Sequence, residues 1–308
     1  KFIGFAVTDF KGTLVDFHES IDFKVDNSEE SFRNMCRVIN NELNESGIDP
    51  TKVLAYGFNL TGRVNNETGY CFSYFLGEDK PIASVLEDEL GKPVFVENDS
   101  RAMTYGEYIC GAANGEKNML YLNVAWGLGM GMIVDGRLSS GNSGFSGEIG
   151  HFPLLNNNQI CHCGKMGCLE TGASGSAVHR IFMEKLKEGR TSMLSDKYNR
   201  GEVIHIEEII DAVNEEDVLA IEVVEEIGTT LGRAIAGLIN LFNPELIVIG
   251  GNVSITRDYL LLPIKSAIQK HSLNIINSDT TIKYSKLGKK AGAIGSCMLS
   301  LRKMLGLL

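Results

Sequence analysis

Several features that would direct a protein to a membrane or to a nucleic acid are missing from this 308-residue sequence. It has no apolar run of the roughly 18 residues that a membrane-spanning helix needs, and its start lacks the basic region and cleavage site of a signal peptide. Its 29 basic and 39 acidic side chains leave a formal charge of −10, which disfavours a phosphate-binding or DNA-binding surface. We therefore predict a cytoplasmic protein with no membrane partner.

Cysteine and tryptophan are also scarce. Trp126 is the only tryptophan, and the cysteines number 7. Four cysteines lie far apart with apolar neighbours, which in a reducing compartment predicts buried thiols and not disulfides. These four are Cys36, Cys71, Cys110 and Cys297.

The apolar pattern of the first hundred residues predicts an α/β fold. "FIGFAVTD" and "TLVDF" flank Lys11-Gly12, which indicates a β-hairpin. Apolar residues at helical spacing follow from Ser28, a plausible N-cap, to Gly47. The later segments "VLAYGFNL", "PIASVLEDELG" and "PVFVEND" alternate strand, helix and strand, which indicates strands covered by helices.

The second half begins with two strands, "MLYLNVAW" and "GMGMIVDG". Residues 143–174 are rich in Gly, Asn, Cys and His with little periodicity, so this segment needs something other than a core to order it. A long periodic helix precedes the buried strand "PELIVIGG". Three glycines in that helix are predicted to let a neighbouring element approach: Gly228, Gly232 and Gly237.

The irregular segment contains a cysteine cluster with metal-ligand spacing. Cys161, Cys163 and Cys168, with His151 upstream, supply a Cys3His set that predicts a closed, structural zinc site. The alternative is a cluster of free or redox-active thiols. His162 is a second possible ligand, but we prefer His151 because a residue between two liganding cysteines usually points outward.

Two carboxylates flank this cluster, Glu148 three residues before His151 and Glu170 two residues after Cys168. A carboxylate accepts hydrogen bonds from adjacent hydroxyls, so two carboxylates fixed by a rigid loop form a receptor for a polyol. The alternative is that both are solvated surface charges.

These motifs together resemble the ROK family of repressors, open reading frames and kinases. The resemblance lies in "SGFSGEIGHFPLL" and "CHCGKMGCLETGASG", which are similar to the family's Glu-x-Gly-His and Cys-x-Cys-Gly-x-x-Gly-Cys-x-Glu motifs. "PVFVENDSRAMTYGEY" is similar to its Asn-Asp sugar motif, "LTGRVN" to its glycine loop below the sugar, and "NPELIVIGG" to its adenosine-side strand. The resemblance covers nearly the whole chain.

The resemblance implies an α/β, two-lobed, actin-like ATPase (ribonuclease H-like) fold with a zinc-bound loop. We expect a small α/β lobe over residues 1–106 and a large α/β lobe with the zinc loop over 107–291. The C-terminal helix, 292–308, is expected to return to the small lobe. The family also implies a homodimer or homotetramer.

The resemblance also implies which residues bind ligands. In kinase members, the residue at Asp99 is the base that takes the proton from the attacking sugar hydroxyl. The matching zinc ligands are His151, Cys161, Cys163 and Cys168. A sugar or amino sugar is expected to contact Gly62, Asn98, Asp99, Glu148, His151 and Glu170.

The sequence departs from the kinase members at the first phosphate loop, Asp-x-Gly-Gly-Thr. "DFKGT", Asp9 to Thr13, imitates this loop with Lys11 in place of a glycine, but its spacing to the first helix fits the following hairpin better. The family's first strand and its loop are therefore expected to lie before residue 1.

The second phosphate loop differs as well. Where kinase members resemble Gly-Thr-Gly, this chain has Ala125-Trp126-Gly127. An indole supplies no hydroxyl, and Ala125 adds a Cβ where a backbone would approach phosphate. We therefore expect no ATP or magnesium cofactor. The alternative is that Trp126 packs elsewhere and another residue binds the phosphates.

Two functional hypotheses follow. In the preferred one, the chain is the sugar-sensing part of a ROK transcriptional repressor that controls carbohydrate utilisation. Such a repressor would contact DNA only through an N-terminal helix-turn-helix of about 70 to 90 residues before residue 1. The alternative is an ATP-dependent sugar kinase, of glucokinase or N-acetylhexosamine kinase type, with Asp99 as base.

Overall fold

Helices and strands alternate along the chain, as the apolar pattern predicts. The computed structural model describes residues 2–23, 28–73 and 80–307. The strands are β1 (Phe2–Thr8), β2 (Leu14–Asp22), β3 (Tyr56–Leu60), β4 (Val64–Asn65), β5 (Tyr70–Cys71), β6 (Val94–Asn98), β7 (Met119–Val124), β8 (Leu128–Val134), β9 (Arg137–Leu138), β10 (Leu246–Gly250) and β11 (Thr281–Tyr284). The α-helices are α1 (Glu29–Glu45), α2 (Ile82–Leu90), α3 (Asp99–Cys110), α4 (Gly175–Lys187), α5 (Ser195–Asn199), α6 (Ile206–Asn214), α7 (Val218–Phe242), α8 (Asp258–His271), α9 (Asn274–Asn277) and α10 (Ala291–Met304).

The chain divides into two compact units. The first unit comprises residues 1–117, 131–147 and 285–308. The second unit comprises residues 118–130 and 148–284. Each unit contains both strands and helices, and α10 belongs to the first unit.

The first unit begins with the predicted hairpin. β1 pairs antiparallel with β2. In the turn between them the Gly12 N–H donates to the Asp9 carbonyl at 2.9 Å, and the Thr13 N–H donates to the Asp9 carboxylate at 2.8 Å. Gly12 has a φ of +83°, which favours glycine. "DFKGT" is therefore a hairpin turn, as predicted, while the position of the family's first strand before residue 1 stays a prediction.

Helix α1 covers this unit with an apolar face. Ser28 caps the helix by accepting from the Ser31 N–H at 3.1 Å, as predicted. Met35, Cys36, Ile39 and Leu43 recur at helical spacing and are buried. They form one core cluster with residues of β4, β6 and α2. Regular structure thus fixes the packing around β6, which carries Asn98.

Two separate two-stranded sheets, β1-β2 and β3-β6, contact the helix α10. Asn59 in β3 donates its side-chain amide to the Ser296 hydroxyl at 2.9 Å. Cys297 lies 3.6 Å from the Ala6 carbonyl of β1. Because β3 runs parallel to β6, the C-terminal ends of both strands, at Leu60 and Asn98, lie side by side.

The second unit is built on a parallel sheet. β11, β10 and β7 are hydrogen-bonded in that order and parallel, and β8 follows β7. Every residue of β10 is buried, as expected for a parallel strand covered on both faces. In the first unit, the end of β8 pairs antiparallel with β9.

Helix α7 packs against α8 through two of its glycines. A Cβ at Gly228 would lie 2.8 Å from the Leu260 carbonyl, and one at Gly232 would lie 2.6 Å from the Ile264 carbonyl. The predicted close approach is confirmed at these positions. It is wrong for Gly237, where an added Cβ would meet no described atom within 4 Å.

The four isolated cysteines do not share one environment. Cys36 and Cys71 are buried and Cys297 is half-buried, but Cys110 is exposed. The prediction of a buried thiol is therefore wrong for Cys110, which is the last residue of α3 and lies at its exposed end. None of the helices in the described part of the chain combines the length and apolar character that a membrane span requires.

Candidate functional site

Asn98 lies at the junction of β6 and α3, where it caps the helix. Its side-chain oxygen accepts from the Arg101 N–H at 3.1 Å. Its amide nitrogen donates to the Gly62 carbonyl at 2.9 Å and to the Asp99 carboxylate at 3.0 Å. The predicted sugar-contacting residues of the first unit, Gly62, Asn98 and Asp99, are therefore neighbours joined by hydrogen bonds.

Asp99 is the first residue of α3, where the helix dipole favours a negative charge. Burial raises the pKa of its carboxyl, while hydrogen bonds from Ser100, Thr61 and Asn98 oppose that rise. Its Oδ1 accepts from the Ser100 N–H at 2.7 Å. A carboxylate with a raised pKa accepts a proton more readily than an ordinary aspartate, which suits it to bind or deprotonate a hydroxyl.

Gly62 occupies a position that only glycine fits. Its φ is +99°, and an added Cβ would lie 2.1 Å from the Ser73 hydroxyl. The next N–H, of Arg63, donates to the same hydroxyl at 3.0 Å. The loop of "LTGRVN" is thus fixed on one side by Ser73 and on the other by Asn98.

The cysteine cluster forms one compact group in the second unit. The ligand atoms of His151, Cys161, Cys163 and Cys168 all lie within 4.8 Å of one another. The Cys163 and Cys168 sulfurs are 3.7 Å apart, and Cys161 Sγ is 3.7 Å from His151 Nδ1. Tetrahedral zinc with Zn–S bonds of about 2.3 Å requires sulfur atoms about 3.8 Å apart. The residues present therefore fit a four-coordinate metal ion.

His151 ends one short 3₁₀ turn, Ile149–His151, and Cys168 immediately precedes another, Leu169–Gly172. A bridge between Pro153 and Cys168 joins the two turns. The structure places His151 in the four-residue group. His162 is 75% exposed and its Nδ1 lies 3.0 Å from the carboxylate of Glu170.

The two carboxylates beside the cluster differ in burial. Glu170 is buried at 8% exposure, and its Oε2 accepts from the Leu128 N–H at 3.0 Å. Glu148 is exposed, and its Oε2 lies 3.7 Å from His151 Nε2. Burial excludes a solvated surface charge for Glu170, whereas Glu148 is exposed to solvent. Because Nδ1 of His151 faces Cys161, its Nε2 and Glu148 lie on the side away from the sulfurs.

The loop that differs from the kinase pattern also lies in the second unit. The Gly175 N–H, at the start of α4, donates to the Ala125 carbonyl at 2.7 Å, and the Ser176 N–H donates to the Trp126 carbonyl at 2.9 Å. Trp126 is 57% exposed, and its ring lies 5.8 Å from that of His179. The first amides of α4, which in other helices bind anions, therefore have protein partners here.

Sequence reasoning missed the charged residues beneath Asn98. Glu97 and Arg101 are buried and form an ion pair at helical spacing, with 2.6 Å between Glu97 Oε1 and Arg101 Nη2. The available signal was the pair of opposite charges four residues apart around Asn98-Asp99. This pattern is more often a solvated pair on a helix surface, so the sequence gives no reason to place it in a core.

The architecture is that of an α/β protein in two compact units, and its candidate groups are polar side chains and a set of possible metal ligands. Residues 3–303 match the family model of the ROK family. The chain therefore belongs to the ROK family, and the resemblance seen in the sequence is confirmed.

Both functional classes occur among its relatives. A glucokinase of Halalkalibacterium halodurans is 34% identical over 287 residues, which cover 92% of this chain and 87% of that protein. A ROK family transcriptional regulator, homologous to the E. coli MLC protein, has a crystal structure that superposes with a TM-score of 0.84 at 30% identity, covering 99% of this chain and 76% of that one. A ROK family glucokinase from Streptomyces griseus, in complex with glucose and AMPPNP, superposes with a TM-score of 0.83 at 26% identity, covering 96% and 94%.

Proposed function

We propose that this protein binds a sugar or amino sugar as the effector-sensing part of a ROK transcriptional regulator and does not phosphorylate it. In the first unit, Asn98 and Asp99 would bind ring hydroxyls above the loop at Gly62. In the second unit, Glu148, Glu170 and the Nε2 of His151 would do so. These are oxygen and nitrogen groups that donate to or accept from hydroxyls, which is what a sugar site needs.

The observation that carries this proposal is the loop Ala125-Trp126-Gly127. Phosphoryl transfer depends on positioning and on charge stabilisation at the phosphates. Here the first amides of α4 donate to the carbonyls of Ala125 and Trp126, so these amides are occupied by backbone oxygens. The indole of Trp126 supplies no hydroxyl to a phosphate. "DFKGT" offers no substitute, because the Lys11 and Thr13 N–H groups of this β1-β2 turn already donate to the Asp9 carboxylate.

A second candidate is an ATP-dependent sugar kinase. It is favoured by the 34% identity to a glucokinase and by the raised pKa of the Asp99 carboxyl. In that case Asp99 would take the proton from the attacking sugar hydroxyl, while bound ATP would supply the phosphoryl group. The two candidates share every sugar-contacting residue and differ only at the phosphates.

We also propose that His151, Cys161, Cys163 and Cys168 hold a zinc ion. Three sulfurs and one imidazole nitrogen are ligands that zinc prefers, and a full Cys3His shell leaves no position for a reacting water. The ion would therefore stabilise the loop and orient His151 and Glu170, without taking part in chemistry. The regulator is further proposed to be a homodimer or homotetramer, which sedimentation analysis tests directly.

One pair of measurements separates the candidates. Calorimetry against glucose, xylose, N-acetylglucosamine and N-acetylmannosamine should show binding of at least one sugar. A coupled assay for ADP release, with the same sugars and ATP-magnesium, should show no sugar-dependent turnover. Sugar-dependent ADP release that Asp99→Asn abolishes would establish the kinase. Binding of no sugar in the panel, with an intact fold and bound metal, would contradict both candidates.

A further inference from the structure

A buried ion pair lies directly beneath the sugar-binding motif of the first unit. Glu97, in β6, is 4% exposed, and Arg101, in the first turn of α3, is 1% exposed. Arg101 Nε donates to Glu97 Oε1 at 2.7 Å, and Nη2 approaches the same oxygen at 2.6 Å. The two charges flank Asn98 and Asp99 in the sequence, so the pair joins the strand to the helix across the motif.

The Glu97 carboxylate also binds backbone and side-chain donors around the motif. Its Oε1 accepts from the Asn98 N–H at 2.8 Å. Its Oε2 accepts from the side-chain amide of Asn66 at 2.8 Å. One buried carboxylate therefore fixes the backbone of Asn98, the guanidinium of Arg101 and the loop residue Asn66 at the same time.

Arg101 makes a second connection to that loop. Its Nη2 donates to the Val64 carbonyl at 2.9 Å. Val64 lies two residues after Gly62, whose carbonyl accepts from the Asn98 side chain at 2.9 Å. The glycine loop and the Asn98-Asp99 turn are thus joined twice, once at Gly62 and once at Val64.

A further cation adjoins the pair. Lys303 in α10 donates to the Asn66 carbonyl at 2.8 Å. Burial lowers the pKa of Lys303, and the nearby Glu97 charge opposes that decrease. The cluster therefore places one buried carboxylate among two cationic groups and their backbone acceptors.

Stability alone does not account for such a pair. Burying two charges removes them from water, and apolar residues of similar volume often stabilise a core as well or better. What apolar residues cannot provide is a set of directional bonds to Asn98, Asn66 and Val64. A planar guanidinium is suited to this because it donates to a carboxylate and a carbonyl at once.

We propose that Glu97 and Arg101 are positioning residues for sugar binding. They hold the glycine loop and the Asn98-Asp99 turn in the geometry that the sugar requires, and they do not contact the sugar themselves. This inference rests on the proposed function, because the geometry matters only if Asn98 and Asp99 bind a ligand.

The test removes both charges together, since loss of one would leave the other buried and unpaired. In Glu97→Gln/Arg101→Met, the dissociation constant for a sugar bound by the wild type should rise at least 10-fold while the protein stays folded. The single variant Arg101→Lys keeps the positive charge but cannot donate to the Glu97 carboxylate and the Val64 carbonyl at once. It should weaken sugar binding by less than the double variant does.

The matched control is Glu107→Gln in the same helix. Glu107 is also fully buried, but its carboxylate accepts from the Ala112, Lys286 and Leu287 N–H groups at the far end of α3. This variant should lower the melting temperature and leave sugar affinity within 2-fold of the wild type. A wild-type affinity in the double variant would show that the ion pair is only structural.

Hydrogen exchange of the sugar-free protein provides a measurement that does not depend on the ligand. Peptides covering residues 60–66 and 97–101 should exchange faster in the double variant than in the wild type or in Glu107→Gln. Unchanged exchange there would overturn the positioning role. Failure of the wild type to bind any sugar, with faster exchange in the double variant, would contradict the proposed function and leave this local role standing.

Discussion

The two units hold their candidate binding groups by different means. In the first unit, Asn98 and Asp99 lie between a strand and a helix, and buried charged and polar side chains fix the junction. In the second unit, His151 and Glu170 lie on short 3₁₀ turns of an irregular segment whose sulfur and nitrogen atoms converge on one point. The first arrangement depends on the fold, and we propose that the second depends on a bound metal ion. The binding groups of the two units should therefore lose their geometry under different treatments.

The strongest test of this contrast removes a metal ligand. Cys163→Ser should release the metal and lower the free energy of unfolding by several kcal/mol, because structural zinc contributes folding energy directly. Elemental analysis should find one zinc per chain in the wild type and none in the variant. Hydrogen exchange should increase in residues 148–172 and stay unchanged in residues 94–110. Wild-type protein without metal and with intact sugar affinity would remove the zinc proposal.

The two carboxylates of the second unit give a finer test. Glu148→Ala should weaken sugar binding by about 1 to 3 kcal/mol, or roughly 5- to 150-fold, because a sugar hydroxyl loses its acceptor. Glu148 is exposed, so its loss should leave the melting temperature unchanged. Glu170→Ala should lower both the sugar affinity and the melting temperature, since the Leu128 N–H loses its partner. Equal melting temperatures for the two variants would contradict the structural role of Glu170.

In the first unit, Asp99→Asn should raise the melting temperature at pH 7. Burial raises the pKa of the wild-type carboxyl, so its ionised form destabilises the folded state. As pH falls below the raised pKa towards the ordinary value of 3.8, the wild-type carboxyl becomes protonated and the advantage of the variant should disappear. Melting curves of both proteins between pH 4 and pH 8 measure this. An advantage that grows as pH falls would contradict it.

The smallest effect is expected at the hairpin of the first unit. A hydrogen bond to Glu42, assisted by the charge of Asp16, raises the pKa of His18. The resulting stability is present below the ordinary pKa of 6.5 and is lost as pH rises through the raised value. His18→Gln should therefore be slightly less stable than the wild type at pH 6 and equal to it at pH 9. Denaturant titrations at the two pH values test this, and a larger difference at pH 9 would contradict it.

Much of the fold follows from local patterns that the sequence displays. Ser28 and the apolar spacing define α1, and the turn at Gly12 defines the hairpin. Helix α8 is different, because Pro263 lies inside it and argues against a helix by local rules. It packs along α7, where Gly228 and Gly232 allow its backbone to approach. Packing against α7, which the residues next to Pro263 in the sequence do not reveal, outweighs the tendency of proline to break a helix.

The candidate site was predictable where chemistry shows in residue type and spacing. The cysteine spacing predicts the ligand group, and the structure brings those atoms together. The sequence motif identifies Asn98 and Asp99, but it does not identify the neighbouring residues that hold them in place. Glu97 and Arg101 have the spacing of an ordinary surface pair, and only the packing of β6 and α3 places them in the interior.

Gly127 limits how the loop that bears it can be altered. An added Cβ there would lie 2.8 Å from Glu170 Oε2, the oxygen that accepts from the Leu128 N–H. Ala125 and Trp126, in the same loop, already carry side chains. In a directed-evolution library that seeks a phosphate-binding loop, the exposed position of Trp126 is therefore the first to vary. The third position, Gly127, is coupled to the buried carboxylate, so a side chain there would require Glu170 to move away from the Leu128 N–H.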